Sequence, residues 1–394
     1  MRNHYLIILA GLIICLMGNH QTVLAEEVEI HGFISQGYLT TNQNNFLAET
    51  DDGSFEFNEM GINFTAYPTS SLKIGCQFFA MDLGDVGNDN IVVNWAFAEY
   101  HYQNWLGFRA GLLKTHFGLY NDTRDYDSLR TAIFLPTSNY IELLRDTLNT
   151  SKGIGIFGNV PLGPAGSLKY QIGTSGTQTS PETGSAKFLK SANGFSEISD
   201  IVVGERLYGI HFQWMTPVDG LSFGMTYDSF DYGFDAIKPT RIGDVMIDVP
   251  ITFKAHNADY LVFFGEYIWN NWVFAAETYR HTEDSDVYHG TSGAFLQKAD
   301  VDTRESFYVK LSYRFTDWLE TGYYYSRFQL QPDTDDDQKK LKEHCLSFRF
   351  DINPYWLFKL EAHLMNGKFG VYPDNDGHIY NEWMLYAAKM SFSF

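Results

Sequence analysis

The stretch from Thr115 to Thr150 carries charged side chains of both signs at close spacing: Asp122, Arg124, Asp125, Asp127, Arg130, Glu142, Arg145 and Asp146. Such a set can do two kinds of chemistry. The arginines can pair with the carboxylates and tie the segment down, or they can stand in water and bias the ions that pass them. Either role is open to any one of these residues. Catalysis has little support elsewhere in the chain. The 12 histidines include no HExxH pair or other close ligand spacing, and no Gly-x-Ser-x-Gly elbow is present. The expectation is a protein that is not an enzyme and holds neither metal nor cofactor.

The segment itself is about 36 residues long and shows no strand periodicity. Connections beyond roughly 12 to 15 residues in a compact domain are usually functional or disordered. Disorder does not fit Phe117, Leu119, Tyr120, Leu129, Ile133, Phe134, Leu135, Tyr140, Leu143 and Leu144. These side chains need a surface to pack on. Within the segment, Asp127 is placed to cap a short helix through Leu129, Arg130 and Ile133 that stops at Pro136. That helix would bring Leu129 and Ile133 together against the same surface.

Strands must supply that surface. The dominant periodicity along the chain is 2, in segments of about 10 residues, as expected for barrel strands with lipid on one side and water on the other. Phe307, Val309, Leu311, Tyr313 and Phe315 alternate with Ser306, Tyr308, Lys310, Ser312 and Arg314. Leu72, Ile74, Cys76, Phe78 and Ala80 alternate with Lys73, Gly75 and Gln77, and the same pattern recurs from Leu221 and from Trp356. Short turns, such as Pro68 to Ser71 and Trp269 to Asn271, alternate with longer polar loops, such as Asp82 to Asn90, Asp231 to Pro250 and Asn366 to Asn381. Seven turns and eight loops join 16 strands. The reading is an all-β, transmembrane, antiparallel β-barrel with its long third loop folded into the lumen. Trp105, Trp214, Trp269, Trp272, Trp318 and Trp356 all fall near short turns, as an interfacial aromatic belt on one side requires.

Alternation then assigns the wall. Lys73, Arg109, Lys114, Lys169, Lys310, Arg314, Arg349, Lys359 and Lys389 face inward with Glu59, Glu99, Asp228, Glu266, Glu277, Glu320 and Glu361. The two signs nearly balance, so the net charge of −20 must reside largely in loops such as Asp333 to Asp337 and Glu283 to Asp286. Those acidic runs read as solvated faces, or as sites that hold divalent cations together with lipopolysaccharide phosphates. The acidic balance opposes nucleic-acid binding. Residues 1–25 read as a cleaved secretory signal, with Arg2 before an apolar stretch and Val23-Leu24-Ala25 at the cleavage site, leaving 26–394 as the barrel. Cys76 and Cys345 are far apart and read as isolated thiols, with pairing in an oxidising compartment as the alternative.

The last strand, Met384 to Phe394, alternates apolar and polar residues and ends on phenylalanine. In this it resembles Gram-negative outer-membrane porins. Gly118-Leu119-Tyr120-Asn121-Asp122-Thr123-Arg124-Asp125, followed by Leu135-Pro136 and preceded by Arg109-Ala110-Gly111 and Lys114, resembles the third loop of the trimeric, 16-stranded proteobacterial type. The resemblance implies a homotrimer in the outer membrane, in contact with lipid and lipopolysaccharide. It implies a passive channel for small hydrophilic solutes and ions, narrowed at Arg124, Arg130, Asp122, Asp125, Asp127 and Glu99. Lys73, Arg109, Lys114, Lys310, Arg314, Arg349, Lys359 and Glu361 would then line the pore wall. The Pro-Glu-Phe-Gly-Gly loop tip of enterobacterial porins is absent, so their eyelet residues have no counterpart here. A porin specific for small anions such as organic acids or phosphate, and a structural or adhesive barrel, are the alternatives.

Overall fold

The computed structural model describes residues 28–299, 302–332 and 335–394, so the signal segment lies outside the described residues. Sixteen strands close into an antiparallel barrel. They are β1 (Glu29–Thr41), β2 (Asn58–Thr69), β3 (Leu72–Asp82), β4 (Val92–Gln103), β5 (Leu106–Lys114), β6 (Thr150–Pro161), β7 (Ser167–Thr179) and β8 (Ile201–Met215). The second half comprises β9 (Leu221–Ile242), β10 (Val245–Trp269), β11 (Trp272–His289), β12 (Asp302–Thr316), β13 (Leu319–Leu330), β14 (Lys340–Asp351), β15 (Trp356–Gly367) and β16 (Glu382–Ser393). Two short pieces, Glu197–Ile198 and Phe295–Lys298, pair beside β9 and β11. The barrel closes where β1 meets β16, with Phe33 opposite Ser393 and Thr41 opposite Leu385. Gly32 exchanges backbone hydrogen bonds of 3.1 and 3.0 Å with Phe394, so the terminal aromatic sits in the seam.

Side-chain burial follows the alternation. On β12, Phe307, Val309 and Phe315 are exposed outward while Ser306, Tyr308 and Ser312 are buried inward. On β15, Trp356, Leu360 and Leu364 point out, and Leu357, Lys359, Glu361 and His363 point in. An apolar outer face and a polar inner face invert the pattern of a water-soluble sheet, which hides its apolar side. Leu311→Arg puts a charge on the outer face at mid-strand and should cost about 2 to 4 kcal/mol. Lys310→Ala on the inner face loses chiefly a cation–π contact with Tyr120, worth about 1 kcal/mol. A refolding titration of the two variants in lipid checks the register, and equal losses would contradict it.

Two stretches expected to be loop are strand: Glu283 to Asp286 lies within β11, where Glu283 is buried, and the second is the connector after β9. Asp231 to Pro250 reads as a polar connector, yet β9 and β10 run on as a hairpin around Gly243 and Asp244, with Ile242 opposite Val245. Past Ile237, β9 has pairings with β10 alone, and Pro239 lies there. On β10, Pro250 precedes the first β11 pairing at Ile251. Both prolines therefore occupy edge positions, where no ladder hydrogen bond needs their missing N–H.

Candidate pore-lining site

The connection from β5 to β6 is held against inward-facing residues of the barrel, and acidic side chains supply most of the anchors. Glu277 on β11 accepts hydrogen bonds from Leu119 N (2.8 Å), Asn139 Nδ2 (2.8 Å) and Tyr140 Oη (3.0 Å). Glu343 on β14 accepts from Thr137 N (3.2 Å) and Oγ1 (2.7 Å), and Glu361 on β15 accepts from Ile133 N (2.7 Å) and Phe134 N (3.1 Å). Between its short helical turns the loop has backbone N–H groups with no ladder partner, and wall carboxylates satisfy them. Gly118 makes the close approach possible: it is in the left-handed region at φ +61° and lies directly on the Glu277 carboxylate, where a Cβ would collide.

Apolar packing adds to these ties. Phe117, Ile133, Phe134, Leu135, Tyr140 and Leu143 are buried, with Phe134 stacked on Phe57 at a centroid distance of 5.4 Å. At about 1.5 to 3 kcal/mol per fully buried large side chain, this is enough to hold the segment in place. The expected helix does not form. Asp127–Leu129 is one 3-10 turn with no side-chain cap, and Leu129 is 63% exposed while Ile133 is 2% exposed. The Asp127 carboxylate is drawn away from the capping position by stronger partners on the wall.

Those partners explain most of the charges. Lys359 and Lys389 stand opposite each other on β15 and β16, an arrangement that is repulsive unless an anion intervenes. Asp127 is that anion. Its oxygens lie 2.8 Å from Lys389 Nζ, 3.8 Å from Lys359 Nζ, 3.2 Å from Arg130 Nη2 and 2.6 Å from Ser391 Oγ. Lys359 also donates to the carbonyls of Asp127 and Ala132, at 2.7 and 3.0 Å. Asp125 is buried between Lys114, Arg145 Nη2 (2.6 Å) and Asn94 Nδ2 (2.8 Å), and the other arm of Arg145 meets Glu59 at 2.9 Å. Arg124 is buried against Glu142 at 2.9 Å and Asn121 at 3.2 Å. Arg130 also donates to the carbonyls of Arg124 and Ile133.

The remaining candidates form a second group. Glu99 meets Arg109 at 3.4 Å, not Arg124 or Arg130. Arg109 also lies 2.9 Å from His116 Nε2, whose other nitrogen contacts Asp122. Arg314 bridges Glu320 (2.7 Å) and Asp351 (2.8 Å), and Arg349 pairs with Asp351 and donates to the carbonyl of Ser128. Lys73 lies 5.4 Å from the centre of the Phe97 ring and Lys310 lies 4.8 Å from that of Tyr120.

Burial would raise the loop carboxyls, but their cationic neighbours outweigh it. Lys114 and Arg145 hold Asp125 well below the usual carboxylate range, and Lys389 and Lys359 do the same for Asp127. Glu142 is lowered by Arg124 and Arg145. Groups with depressed folded values stabilise the protein fully above their unfolded values near pH 4, and the benefit is lost as pH falls through the folded ones. The loop ties are therefore intact at neutral pH.

The wall opposite these anchors mixes glycines and serines with larger side chains. Ser151, Gly155, Gln171, Gly173, Ser175, Gly209, His211 and Asp228, from β6 to β9, line an open recess with Arg109, Lys114 and His116, and Leu113, Ile154, Ile156, Ile172 and Ile210 complete its lining. The His116 and His211 rings are 5.7 Å apart there. The sequence assigns Arg109, Lys114 and Asp228 to the inner wall, but nothing in it marks β6 to β8 as the open side. Glu343, His363 and His116 also went unmarked, although Glu343 and His363 fall on the inward period of their strands.

No protein-family model matches the chain, and no curated protein matches it. Solved structures do. OmpT, an outer membrane protein of Vibrio cholerae, aligns over 94% of this chain and 100% of its own at 10% identity, with a TM-score of 0.57. The anion-selective porin from Comamonas acidovorans aligns over 93% and 99% at 12% identity and TM-score 0.54. Salmonella typhi OmpF, in complex with daunomycin, aligns over 94% and 98% at 13% identity and TM-score 0.58. The closed antiparallel barrel is thus similar over nearly its whole length to proteobacterial outer-membrane porins, a likeness of fold.

Proposed function

We propose that this chain is a passive, non-enzymatic outer-membrane channel through which small hydrophilic solutes and ions diffuse. It would be exported by its leader, seated in lipid and lipopolysaccharide by its apolar belt, and assembled as a homotrimer. The supporting observation is the asymmetric lumen: the β5–β6 connection is anchored on β9 to β16, β2 and β4, while the facing wall carries small side chains at Ser151, Gly155, Gly173, Ser175 and Gly209. Solutes would pass between the loop and that wall, hydrated by Gln171, Ser175, His116 and His211. The trimer is named for one OmpT structure among its neighbours in fold.

Arg109 and Lys114 border this route already paired, with Glu99 and Asp125. That favours weak ion preference over a path specific for small anions. Arg124, Arg130, Asp122, Asp125, Asp127 and Glu99 would set the size of the constriction by holding the loop, and only Asp122, at 41% side-chain exposure, would face the solute substantially. Single-channel conductance and reversal potential in a salt gradient test the reading. Ser175→Trp should fill the recess and lower conductance by at least half while leaving the barrel folded. An undiminished current in that variant would place the route elsewhere.

A further inference from the structure

Cys345, Glu361 and His363 converge inside the barrel, beneath the loop. Cys345 lies on β14, and Glu361 and His363 are inward neighbours on β15. The thiol sulfur is 3.7 Å from Glu361 Oε1 and 3.9 Å from His363 Nε2, and that nitrogen is 3.2 Å from Glu361 Oε2. A tetrahedral ion with bonds of about 2.0 Å to N and O and about 2.3 Å to S holds its ligands roughly 3.3 to 3.6 Å apart. The three side chains already stand at nearly those separations. Cys345 and His363 are 0% exposed and Glu361 is 4% exposed.

The surroundings resemble those of a metal-bound imidazole. His363 Nδ1 is 2.7 Å from Glu343 Oε1, the carboxylate that orients and polarises a ligating histidine. Glu343 is itself fixed by Tyr324 Oη and Ser326 Oγ, both at 2.8 Å, and by Thr137. Charge points the same way. Two buried carboxylates share one imidazole, while nearby Lys359 is committed to Asp127 and two backbone carbonyls. A divalent cation would balance them, and a thiolate with imidazole and carboxylate selects the zinc class over calcium or magnesium.

We propose that Cys345, His363 and Glu361 bind one divalent cation of the zinc class, with Glu343 as a positioning residue. Because Glu361 also accepts from Ile133 and Phe134, the ion would join β14, β15 and the loop into one unit. The rival arrangement is an imidazolium bridging two carboxylates, with the thiol idle.

Cobalt(II) separates the two. Full-length barrel with Cys76→Ser, refolded with cobalt(II) and freed of excess by gel filtration, should retain one ion per chain. It should show thiolate-to-cobalt charge transfer and the intense visible bands of a tetrahedral site, all displaced by zinc. Cys345→Ser should abolish the charge transfer, and Glu343→Gln should weaken binding about 10- to 100-fold while keeping it. Failure of the parent protein to retain cobalt, or retention without charge transfer, overturns the proposal, since the acidic surface can hold cobalt only through oxygen and imidazole nitrogen, not through sulfur. Should Cys345→Ser not fold, His363→Gln separates the two arrangements equally well: charge transfer at parental affinity in that variant overturns the proposal. None of these readouts requires the barrel to conduct.

Discussion

A barrel lacking Arg124 to Ile133 is expected to fold and to conduct several-fold more current than the intact chain. The deletion removes Asp127, Arg130 and the backbone donor Ile133, and with them the ties to Lys359, Lys389 and Glu361. None of these ties is part of the strand ladder. The hydrogen bonds that close the barrel run between neighbouring strands, from β1 against β16 to β15 against β16, and do not involve the loop. The wall residues left behind would be solvated by the widened lumen, so they need not unfold it. Selectivity should change in a set direction. Two acids and two arginines leave together, but Lys114, Lys359 and Lys389 lose the aspartates that neutralised them, while Glu142 retains Arg145 at 3.6 Å. The open lumen should prefer anions more than the parent does. Conductance and reversal potential of the refolded variant measure both effects, with heat-modifiable gel mobility as the check on folding. Unchanged conductance through a folded barrel would mean that the loop does not limit the pore.

Asp127→Asn should have the largest effect of any single isosteric change on loop anchoring. The substitution keeps shape and removes one negative charge from between Lys359, Lys389 and Arg130. Lys389 retains Glu59, whereas Lys359 keeps only carbonyl acceptors among its closest partners. Breaking a buried pair on one side costs about 3 to 5 kcal/mol, and the lower end applies beside a water-filled lumen. The loss falls on the loop rather than on the ladder. The expected signs are fluctuating single-channel current and faster proteolytic cutting between Tyr126 and Ile133, with a small change in the urea midpoint of the barrel. Lys359→Met in the same chain should restore a quiet channel, because it removes the repulsion that Asp127 relieves. A quiet channel in Asp127→Asn alone would show that the apolar packing of Phe134 and its neighbours suffices to hold the loop.

The parts of this protein legible in its sequence are those governed by local periodicity. Two-residue alternation is imposed by the pleat itself, so Phe307 to Phe315 announces its outer and inner faces before any partner is known, and the turns follow from where alternation stops. The length and apolar content of Thr115 to Thr150 likewise require a packed loop. What sequence could not supply is which charge meets which. Lys359 and Lys389 read as two inward lysines among nine basic positions, and only the register of β15 against β16 sets them face to face and makes Asp127 necessary. Glu361 read as a pore-wall charge, but tertiary structure makes it an acceptor for loop N–H groups. Arg124 read as a constriction residue free either to pair or to stand in water, and folding encloses it against Glu142. Such assignments depend on residues brought together by barrel closure from positions hundreds apart in the chain, as Lys389 on β16 and Glu59 on β2 are on either side of β1. Strand periodicity is a property of neighbours in sequence, whereas ion pairing inside a closed barrel is decided by strand register and by where the loop comes to rest.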